Sequence, residues 1–291
     1  MMTRPLRSKL FVPGARPELF DKALAGDADA LSFDLEDSVP AEGKAQARSA
    51  VAKLLQGDAV RQTNKLIIVR CNPVDSAHFA SDLSALSGAG LELLNLPKVE
   101  TVEQVREVAG RLQEFEAARG AGASTSLLLN IETPKGLRHA AELAAAHPRV
   151  AGLQLGLGDL FEPYGIARRD LANVHAAMFA MRMAAAEAGV FALDGAFAAI
   201  DDSTRFEAEA QMARRLGYLG KSCIHPRQVG MANRIFGPDA DELVDAMRIV
   251  EAARIAAEAG QAVFTVDGRM IDPPYLKRAQ DIVAAARGAA Q

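Results

Sequence analysis

The chain has 291 residues, which is enough for a sizeable core in one large domain or two small ones. Its formal net charge of -4 argues against a general nucleic-acid binder, so an anionic ligand would need a local basic cluster. No apolar run has the length of a membrane span, and the first residues lack the apolar core of a secretory signal. The two cysteines have neither metal-site nor disulfide spacing, so we expect a reduced, cytoplasmic protein.

Eight short apolar runs alternate with longer segments of helical periodicity along the first 236 residues. The runs, each predicted to be a strand, are KLFVP (9–13), ALSFDLE (30–36), KLIIVRC (65–71), ELLNLPK (92–98), SLLLNIE (126–132), VAGLQLG (150–156), FALDG (191–195) and GYLGKSCI (217–224). Several of the intervening segments end in glycine, as helices commonly do. Eight strand–helix units predict an α/β fold, a (β/α)8 TIM barrel over residues 1–236. An open doubly wound sheet is the alternative, although eight regular units are long for it.

Residues 237–291 follow the barrel as a C-terminal extension. They contain a helical stretch and then the segment AVFTVDGRMIDPPYLKRAQDIVAAA. Taken by itself, VDG indicates a hairpin turn, and Asp272 indicates the cap of a helix that begins at Pro273.

Side chains of a strand alternate between its two sides, so most of the runs can be divided into an apolar and a polar face. We expect the apolar faces against the surrounding helices and the polar faces in the barrel lumen. The residues assigned to the lumen in this way are Ser32, Asp34, Glu36, Arg70, Asn130, Glu132, Gln154 and Asp194. In the seventh run, this places Leu193 on the helix side and Asp194 in the lumen.

Charged residues gather at the carboxyl ends of the runs, whereas the amino ends carry mostly Gly, Ala or an isolated Lys. The set comprises Asp34, Glu36, Asp37, Arg70, Lys98, Glu132, Asp159, Asp194 and Lys221. Active sites of barrels form at the carboxyl end of the strands. Carboxylates buried there must be neutralised by basic side chains or by a metal ion. The sequence therefore predicts an active site at this end.

Glu132 ends the fifth run, and Asp159 follows the sixth run in LGLGDLFEP. Neighbouring strands lie about 4.8 Å apart, so the two carboxylates can share one cation. Mg²⁺ commonly takes one or two protein carboxylates and leaves positions for water and substrate, which suits chelation by a 2-oxo acid. No HxxxH or HExxH spacing occurs, which argues against zinc.

Arg70, in IIVRCNP, provides a fixed cation whose planar fork suits a carboxylate or a developing oxyanion. Pairing with the acids of EDSVP is its structural alternative, and both roles can be filled at once. Those acids can hold metal-bound water or orient Arg70. For Asp37 we favour this indirect role over direct metal ligation, and for Glu36 both remain open.

Seven motifs occur in the order and spacing of citrate lyase β-subunit-like proteins, namely RSKLFVPGARPELFDKA, FDLEDSVP, VRCNP, LPKVE, IETPKGL, GLGDL and CIHPRQV. Over residues 7–285 the chain resembles this family, which includes malyl-CoA and citramalyl-CoA lyases within a Mg²⁺-dependent aldolase superfamily of the HpcH/HpaI type. The resemblance implies a (β/α)8 barrel, Mg²⁺ on Glu132 and Asp159, and Arg70 where bonds change. It also implies a carbon–carbon lyase that cleaves a 3-hydroxyacyl-CoA, such as malyl-CoA or citramalyl-CoA, into an acyl-CoA and a 2-oxo acid. In the reverse direction the same enzyme would join these two compounds by Claisen-type condensation.

Within the extension, VDGRMID resembles a segment that covers a neighbouring subunit's site in the CoA-using lyases. An Asp at the position of Asp272 serves there as the acid/base. The presence of this segment favours a CoA thioester substrate and implies a homo-oligomer, a trimer or a hexamer.

The candidate residues fall into three sets. The catalytic candidates are Arg70, Asp272, Glu36 and Asp37; the substrate- or CoA-binding candidates are Arg70, Arg7 and Lys98; and the metal candidates are Glu132 and Asp159. Arg7 and Lys9 stand at the first strand, where basic side chains can meet CoA phosphates, and the resemblance supports Arg7 better than Lys9. Lys98 and Lys221 can instead balance the acidic carboxyl end of the barrel.

Other functions fit parts of the same pattern. A citrate lyase β subunit would act on an acyl-carrier-protein thioester, and a malyl-CoA thioesterase would use water as the attacking group. Metal-dependent aldolases that make sugar acids from pyruvate lack the DLEDSVP and MID segments. A catalytically retired barrel would act as a binding protein, but decay usually removes at least one of the residues Arg70, Glu132, Asp159 and Asp272.

Overall fold

The computed structural model describes residues 4–86, 90–118, 125–237, 239–258, 260–261 and 263–288. The chain divides into two compact units. The barrel unit comprises Leu6–Phe236, and the C-terminal unit comprises the residues from Gly237 onwards together with Arg4 and Pro5. Among the described residues, no helix has both the length and the apolar character needed to cross a bilayer.

Eight parallel strands close into a barrel in chain order, and the last strand is hydrogen-bonded to the first. The strands are β1 (Ser8–Pro13), β2 (Ala30–Asp34), β3 (Leu66–Arg70), β4 (Leu93–Leu96), β5 (Ser126–Ile131), β6 (Val150–Leu155), β7 (Phe191–Asp194) and β8 (Gly220–Cys223). Each predicted run coincides with one of these strands, and only β1 extends beyond its run, by one residue at Ser8. The predicted (β/α)8 barrel is therefore confirmed, and the open doubly wound sheet is excluded.

Helices connect the strands and surround the barrel. They are α1 (Phe20–Ala25), α2 (Lys44–Leu55), α3 (Asp58–Gln62), α4 (Phe79–Leu86), α5 (Val102–Ala118), α6 (Pro134–Arg138), α7 (Ala140–Ala144), α8 (Leu157–Phe161), α9 (Leu171–Glu187), α10 (Ser203–Arg215) and α11 (Pro226–Ile235). Short 3-10 turns lie at Pro17–Leu19, Ala41–Gly43 and Glu162–Tyr164.

The main apolar core lies between the strands and the helices. Its buried strand residues include Leu31, Phe33, Ile67, Val69, Leu94, Leu96, Leu129, Ile131, Leu153 and Leu155. Residues of the opposite parity form a smaller cluster inside the barrel, comprising Leu6, Ala30, Leu66, Ile68, Leu93, Leu128 and Leu193. The predicted alternation is thus confirmed for the second, third, fifth and sixth runs.

The alternation predicted for the seventh run is wrong. Leu193 belongs to the interior cluster, so Asp194 points outward towards α10. There Lys221 Nζ donates to Asp194 Oδ2 at 2.6 Å and to Glu209 Oε1 at 2.7 Å. Arg168 binds both carboxylate oxygens of Glu209, at 2.7 and 2.9 Å. Two cations offset two carboxylates in this network, and Lys221 does not balance the acidic end of the barrel, as one sequence interpretation had it.

The C-terminal unit contains the helices α12 (Ala240–Glu258) and α13 (Pro273–Gly288), which share the buried residues Ala246, Ala279 and Val283. Between them lies an antiparallel hairpin of β9 (Phe264–Val266) and β10 (Arg269–Ile271). Asp267 and Gly268 both have positive φ, as a two-residue hairpin turn requires. The hairpin turn predicted from VDG is therefore present.

Replacing Lys221 tests the buried network beneath α10. Lys221→Met leaves the buried carboxylates of Asp194 and Glu209 without the cation between them. We expect the free energy of unfolding at pH 7 to fall by about 3–5 kcal/mol, measured by urea denaturation. Lys53→Met, at an exposed lysine of α2, is the control and should change stability by less than about 0.5 kcal/mol. Similar stabilities for the two variants would contradict this account of the network.

Candidate active site

Arg70, at the end of β3, is held by the acids that follow β2. Its Nε and Nη2 atoms donate to Asp34 Oδ1 and Oδ2 at 2.7 and 2.8 Å. Nη1 lies 2.7 Å from Glu36 Oε2 and 3.4 Å from Asp37 Oδ2. Burial alone would raise the pKa of Asp34, but the hydrogen bonds and charge of Arg70 outweigh it, and the pKa falls below its usual value. Asp34 therefore remains charged and fixes the plane of the guanidinium group.

The loop DLEDSVP is shaped by contacts to its own backbone. Asp34 accepts hydrogen bonds from the amides of Glu36 and Ser38, at 3.0 and 3.1 Å. Lys44, on α2, donates from Nζ to the carbonyl oxygens of Leu35 and Glu36, both at 2.9 Å. Sequence reasoning missed Lys44, because nothing in its spacing distinguishes it from other basic residues at helix starts.

Lys98 links the acidic loop to the neighbouring strand end. Its Nζ lies 2.7 Å from Glu36 Oε1 and 3.6 Å from Asp37 Oδ1. Burial would lower the pKa of Lys98, but the hydrogen bond and charge of Glu36 raise it above its usual value. For Glu36 itself burial is the largest effect, and its pKa is raised despite Arg70 and Lys98. The structure thus brings together the predicted residues Glu36, Asp37, Arg70 and Lys98.

Glu132 follows β5 and is 2% exposed. The backbone amide of Lys98, which adopts a left-handed conformation with φ 52, donates to Glu132 Oε1 at 2.7 Å. Asn130 Nδ2 donates to Glu132 Oε2 at 3.3 Å. A side chain at Gly156 would place Cβ 2.5 Å from Glu132 Oε2, so only glycine leaves room for this carboxylate. Burial and the charges of Glu36 and Asp159 raise the pKa of Glu132 to about 7, with Arg70 acting against them.

Asp159 lies in the first turn of α8 and is exposed. It is near enough to Glu132 and Lys98 to raise the pKa of both groups. Within the described residues, no group of three or more His, Cys, Asp or Glu side chains is arranged to hold a metal ion. Two carboxylates, one buried and one exposed to solvent, form a donor set that fits Mg²⁺, because Mg²⁺ retains several waters. Such a set does not fit a closed zinc site.

The two remaining predicted residues are Arg7 and Asp272. Arg7 stands before β1, at the amino end of the barrel, where its Nε and Nη2 donate to both carboxylate oxygens of Asp29 at 2.8 Å. It is therefore not part of the cluster at the carboxyl end, and its contact with a CoA phosphate stays a prediction. Asp272 belongs to the C-terminal unit, and its Oδ1 accepts the amide of Tyr275 at 3.4 Å, as a cap of α13 does. Its role as an acid/base stays a prediction.

Lys9 lies inside the barrel and is completely buried. No described residue forms a hydrogen bond with its Nζ, which lies 3.9 Å from the centroid of the Phe11 ring. Arg70 Cζ lies 5.0 Å from the same centroid. Burial, and then the charge of Arg70, lower the pKa of Lys9 well below its usual value. Lys9 is therefore inaccessible to a phosphate group, and no pattern in the sequence indicated a buried amine.

A closed (β/α)8 barrel with oriented carboxylates and fixed cations at its carboxyl end has the organisation of a barrel enzyme. A family model described as HpcH/HpaI aldolase/citrate lyase matches residues 7–226. The citrate lyase subunit beta of Escherichia coli strain K12 is 36% identical over 286 residues, which cover 98% of this chain and 94% of that one. The L-malyl-CoA/beta-methylmalyl-CoA lyase of Cereibacter sphaeroides is 32% identical over 301 residues, covering 96% and 94%.

Among solved structures, the protein CitE of Mycobacterium tuberculosis, in complex with magnesium, acetoacetate and coenzyme A, is similar over the full length of both chains. The sequence identity is 30% and the TM-score is 0.76. The chain belongs to the HpcH/HpaI aldolase/citrate lyase family. The predicted family is thus confirmed, and so is the prediction of a citrate lyase β-subunit-like lyase.

Lys9→Met tests the cost of the buried amine. The unfolded chain binds the Lys9 proton at the ordinary pKa of 10.5, whereas the folded chain binds it only at lower pH. Between these values the unfolded state holds more protons, so this group makes stability rise with pH. We expect Lys9→Met to raise the free energy of unfolding at pH 7 by about 1–3 kcal/mol, with a smaller gain at pH 10.

The measurement is urea denaturation of wild type and variant at both pH values, with Lys53→Met as the exposed control. A loss of stability in Lys9→Met, or an equal gain at pH 7 and pH 10, would contradict the expectation.

Proposed function

We propose that the protein is a Mg²⁺-dependent carbon–carbon lyase acting on a 3-hydroxyacyl-CoA such as malyl-CoA or citramalyl-CoA. The reaction yields an acyl-CoA and a 2-oxo acid, or joins them by Claisen-type condensation. The observation that supports this best is the buried Glu132 carboxylate, which is oriented at both oxygens and lies near Asp159 and Arg70. Such a site suits a reaction in which negative charge develops on oxygen atoms.

Glu132 and Asp159 would hold the magnesium ion. When bound there, Mg²⁺ supplies a Lewis acid that stabilises negative charge on the oxygens of the oxo acid. The magnesium in the Mycobacterium tuberculosis structure supports this assignment. The site itself supports it as well, because the five carboxylates Asp34, Glu36, Asp37, Glu132 and Asp159 outnumber the cations Arg70 and Lys98.

Arg70 is proposed to contact the oxo acid. Its bidentate pair with Asp34 holds the guanidinium plane before substrate arrives, so no reorganisation is needed when charge develops. Glu36 and Asp37 orient Arg70 and Lys98 in this proposal, and Lys98 offers a second cation towards the substrate. Arg7, whose guanidinium group binds Asp29 at the other end of the barrel, stays a candidate for contact with a CoA phosphate.

Asp272 is proposed to move a proton at the acyl carbon next to the thioester. The C-terminal unit, residues 237–291, would cover the site of a neighbouring subunit in a homo-oligomer, a trimer or a hexamer. Exclusion of water by this cover would suit the carboxyl group to proton transfer at that carbon. We place the enzyme in the cytoplasm, since its two cysteines, Cys71 and Cys223, are buried free thiols.

A second function has an observation in its favour. The 36% identity with Escherichia coli citrate lyase subunit beta favours an acyl-carrier-protein thioester as substrate. The malyl-CoA lyase relative and the CoA-bound structure favour the free CoA thioester. The same residues would serve both substrates, so only an assay separates them.

The decisive experiment is a cleavage assay on (S)-malyl-CoA and (S)-citramalyl-CoA with Mg²⁺. We expect cleavage by wild type, its loss with chelator, and a fall in kcat of about 10²–10⁴-fold in Asp272→Asn, because the proton transfer is lost. Asp281→Asn is the matched control, since Asp281 is an exposed carboxylate of the same unit that pairs only with Lys277 among the described contacts. It should retain wild-type kcat.

Other outcomes point to other functions. Intact CoA thioesters together with cleavage of an acyl-carrier-protein thioester would identify a citrate lyase β subunit. Release of free malate would identify a thioesterase. No reaction with any of these substrates would indicate a retired barrel.

A further inference from the structure

A chain of two buried amides ends on Glu132. Asn95 Nδ2, on β4, donates to Asn130 Oδ1 on β5 at 2.8 Å. Asn130 Nδ2 in turn donates to Glu132 Oε2 at 3.3 Å. Asn95 is 0% exposed and Asn130 is 1% exposed, so both contacts are shielded from bulk solvent. The two amides therefore connect the barrel interior directly to the carboxylate.

Asn95 occupies its position at a cost. Its Nδ2 protons go to Asn130 Oδ1 and to the carbonyl oxygen of Leu128, but its Oδ1 has no hydrogen-bond partner among the described residues. A buried acceptor without a partner is unfavourable, whereas the leucines on either side, Leu94 and Leu96, carry no such cost. A leucine at position 95 would thus suit the barrel better than asparagine if packing alone mattered.

The benefit of Asn95 lies in the orientation of Asn130. A side-chain amide beside a carboxylate can present its NH₂ group, which attracts, or its carbonyl oxygen, which repels. Donation from Asn95 to Asn130 Oδ1 fixes the amide so that the NH₂ group meets Glu132. Asn95 therefore acts on Glu132 only through Asn130.

Both oxygens of Glu132 are oriented as a result. Oε1 accepts the Lys98 amide and Oε2 accepts the Asn130 amide, so the plane of the carboxylate is set from two sides. Each oxygen keeps a further lone pair for a cation. Partners of this kind are worth about 10–100-fold in metal affinity in other metalloproteins.

We propose that Asn130, with Asn95 behind it, is a positioning pair that prepares Glu132 to bind the divalent cation. This proposal rests on the proposed function, in which Glu132 is a metal ligand. Gln154 offers a matched control: it is a third buried amide of the lumen, but its Oε1 accepts the Ser222 hydroxyl at 3.2 Å and it has no described contact with Glu132.

The test measures Mn²⁺ binding to the substrate-free, full-length protein by electron paramagnetic resonance. We expect Asn130→Leu to weaken Mn²⁺ binding by about 10–100-fold, and Asn95→Leu to weaken it by a smaller factor. The double variant should bind like Asn130→Leu alone, because the two residues act in series. Gln154→Met should keep wild-type affinity. In the cleavage assay, saturating Mn²⁺ should restore most of the kcat of Asn130→Leu, which a damaged fold would not allow.

Each result bears on the proposal. Wild-type affinity in Asn130→Leu, or equal weakening in Gln154→Met, would overturn the positioning role while leaving the proposed function intact. If Asn130→Leu fails to fold by circular dichroism, Asn95→Leu decides, and wild-type affinity in that variant overturns the proposal. Glu132→Gln tests the metal assignment on which this proposal rests. If that variant binds Mn²⁺ as wild type does, Glu132 is not a metal ligand and the positioning proposal fails with it.

Discussion

The bidentate ion pair between Arg70 and Asp34 is the interaction on which the rest of the site depends. Asp34 uses its oxygens both for the guanidinium group and for the amides of the loop that follows β2. That loop positions Glu36 to pair with the Lys98 ammonium group, and the backbone amide of Lys98 donates a hydrogen bond to Glu132. Contacts therefore run without a break across the ends of β2, β3, β4 and β5. Loss of the Arg70–Asp34 pair would therefore disturb the first link of a series of contacts that extends over four strands.

Two clusters of buried charged residues in this barrel differ in their ratio of carboxylates to cations. This difference distinguishes a cluster that stabilises the fold from one that can bind a ligand. Beneath α10, two carboxylates meet two cations, and the network needs nothing further. At the carboxyl end, negative groups are in excess, and Glu132 has a pKa raised to about 7 by burial and by its neighbours. An excess of buried negative charge is unfavourable unless a cation arrives. The same residue types thus stabilise the fold beneath α10 and favour the binding of a cation at the carboxyl end.

The sequence predicted those features that follow from chain order and strand ends. Eight apolar runs defined the barrel, and Arg70, Glu36, Lys98 and Glu132 meet because parallel strands place their carboxyl ends on one rim. Predictions failed where the partner lies on another element. The outward direction of Asp194 depends on Lys221 and Glu209, which spacing does not reveal. The pairing of Arg7 with Asp29 cannot be deduced from spacing either, and contact of Arg7 with a CoA phosphate stays a prediction. A strand of four residues, β7, also alternates too briefly for its faces to be told apart.

Lys98 has a left-handed backbone, which an L-residue adopts only at a cost of about 1–2 kcal/mol. That conformation aims the amide at Glu132, while the side chain reaches Glu36. Glycine would accept the backbone readily but would remove the ammonium group, and a β-branched residue would satisfy neither requirement. One position thus serves two neighbours through two different parts of the same residue. Anyone who redesigns this rim for another substrate has to treat Lys98 as a fixed point and vary the residues around it.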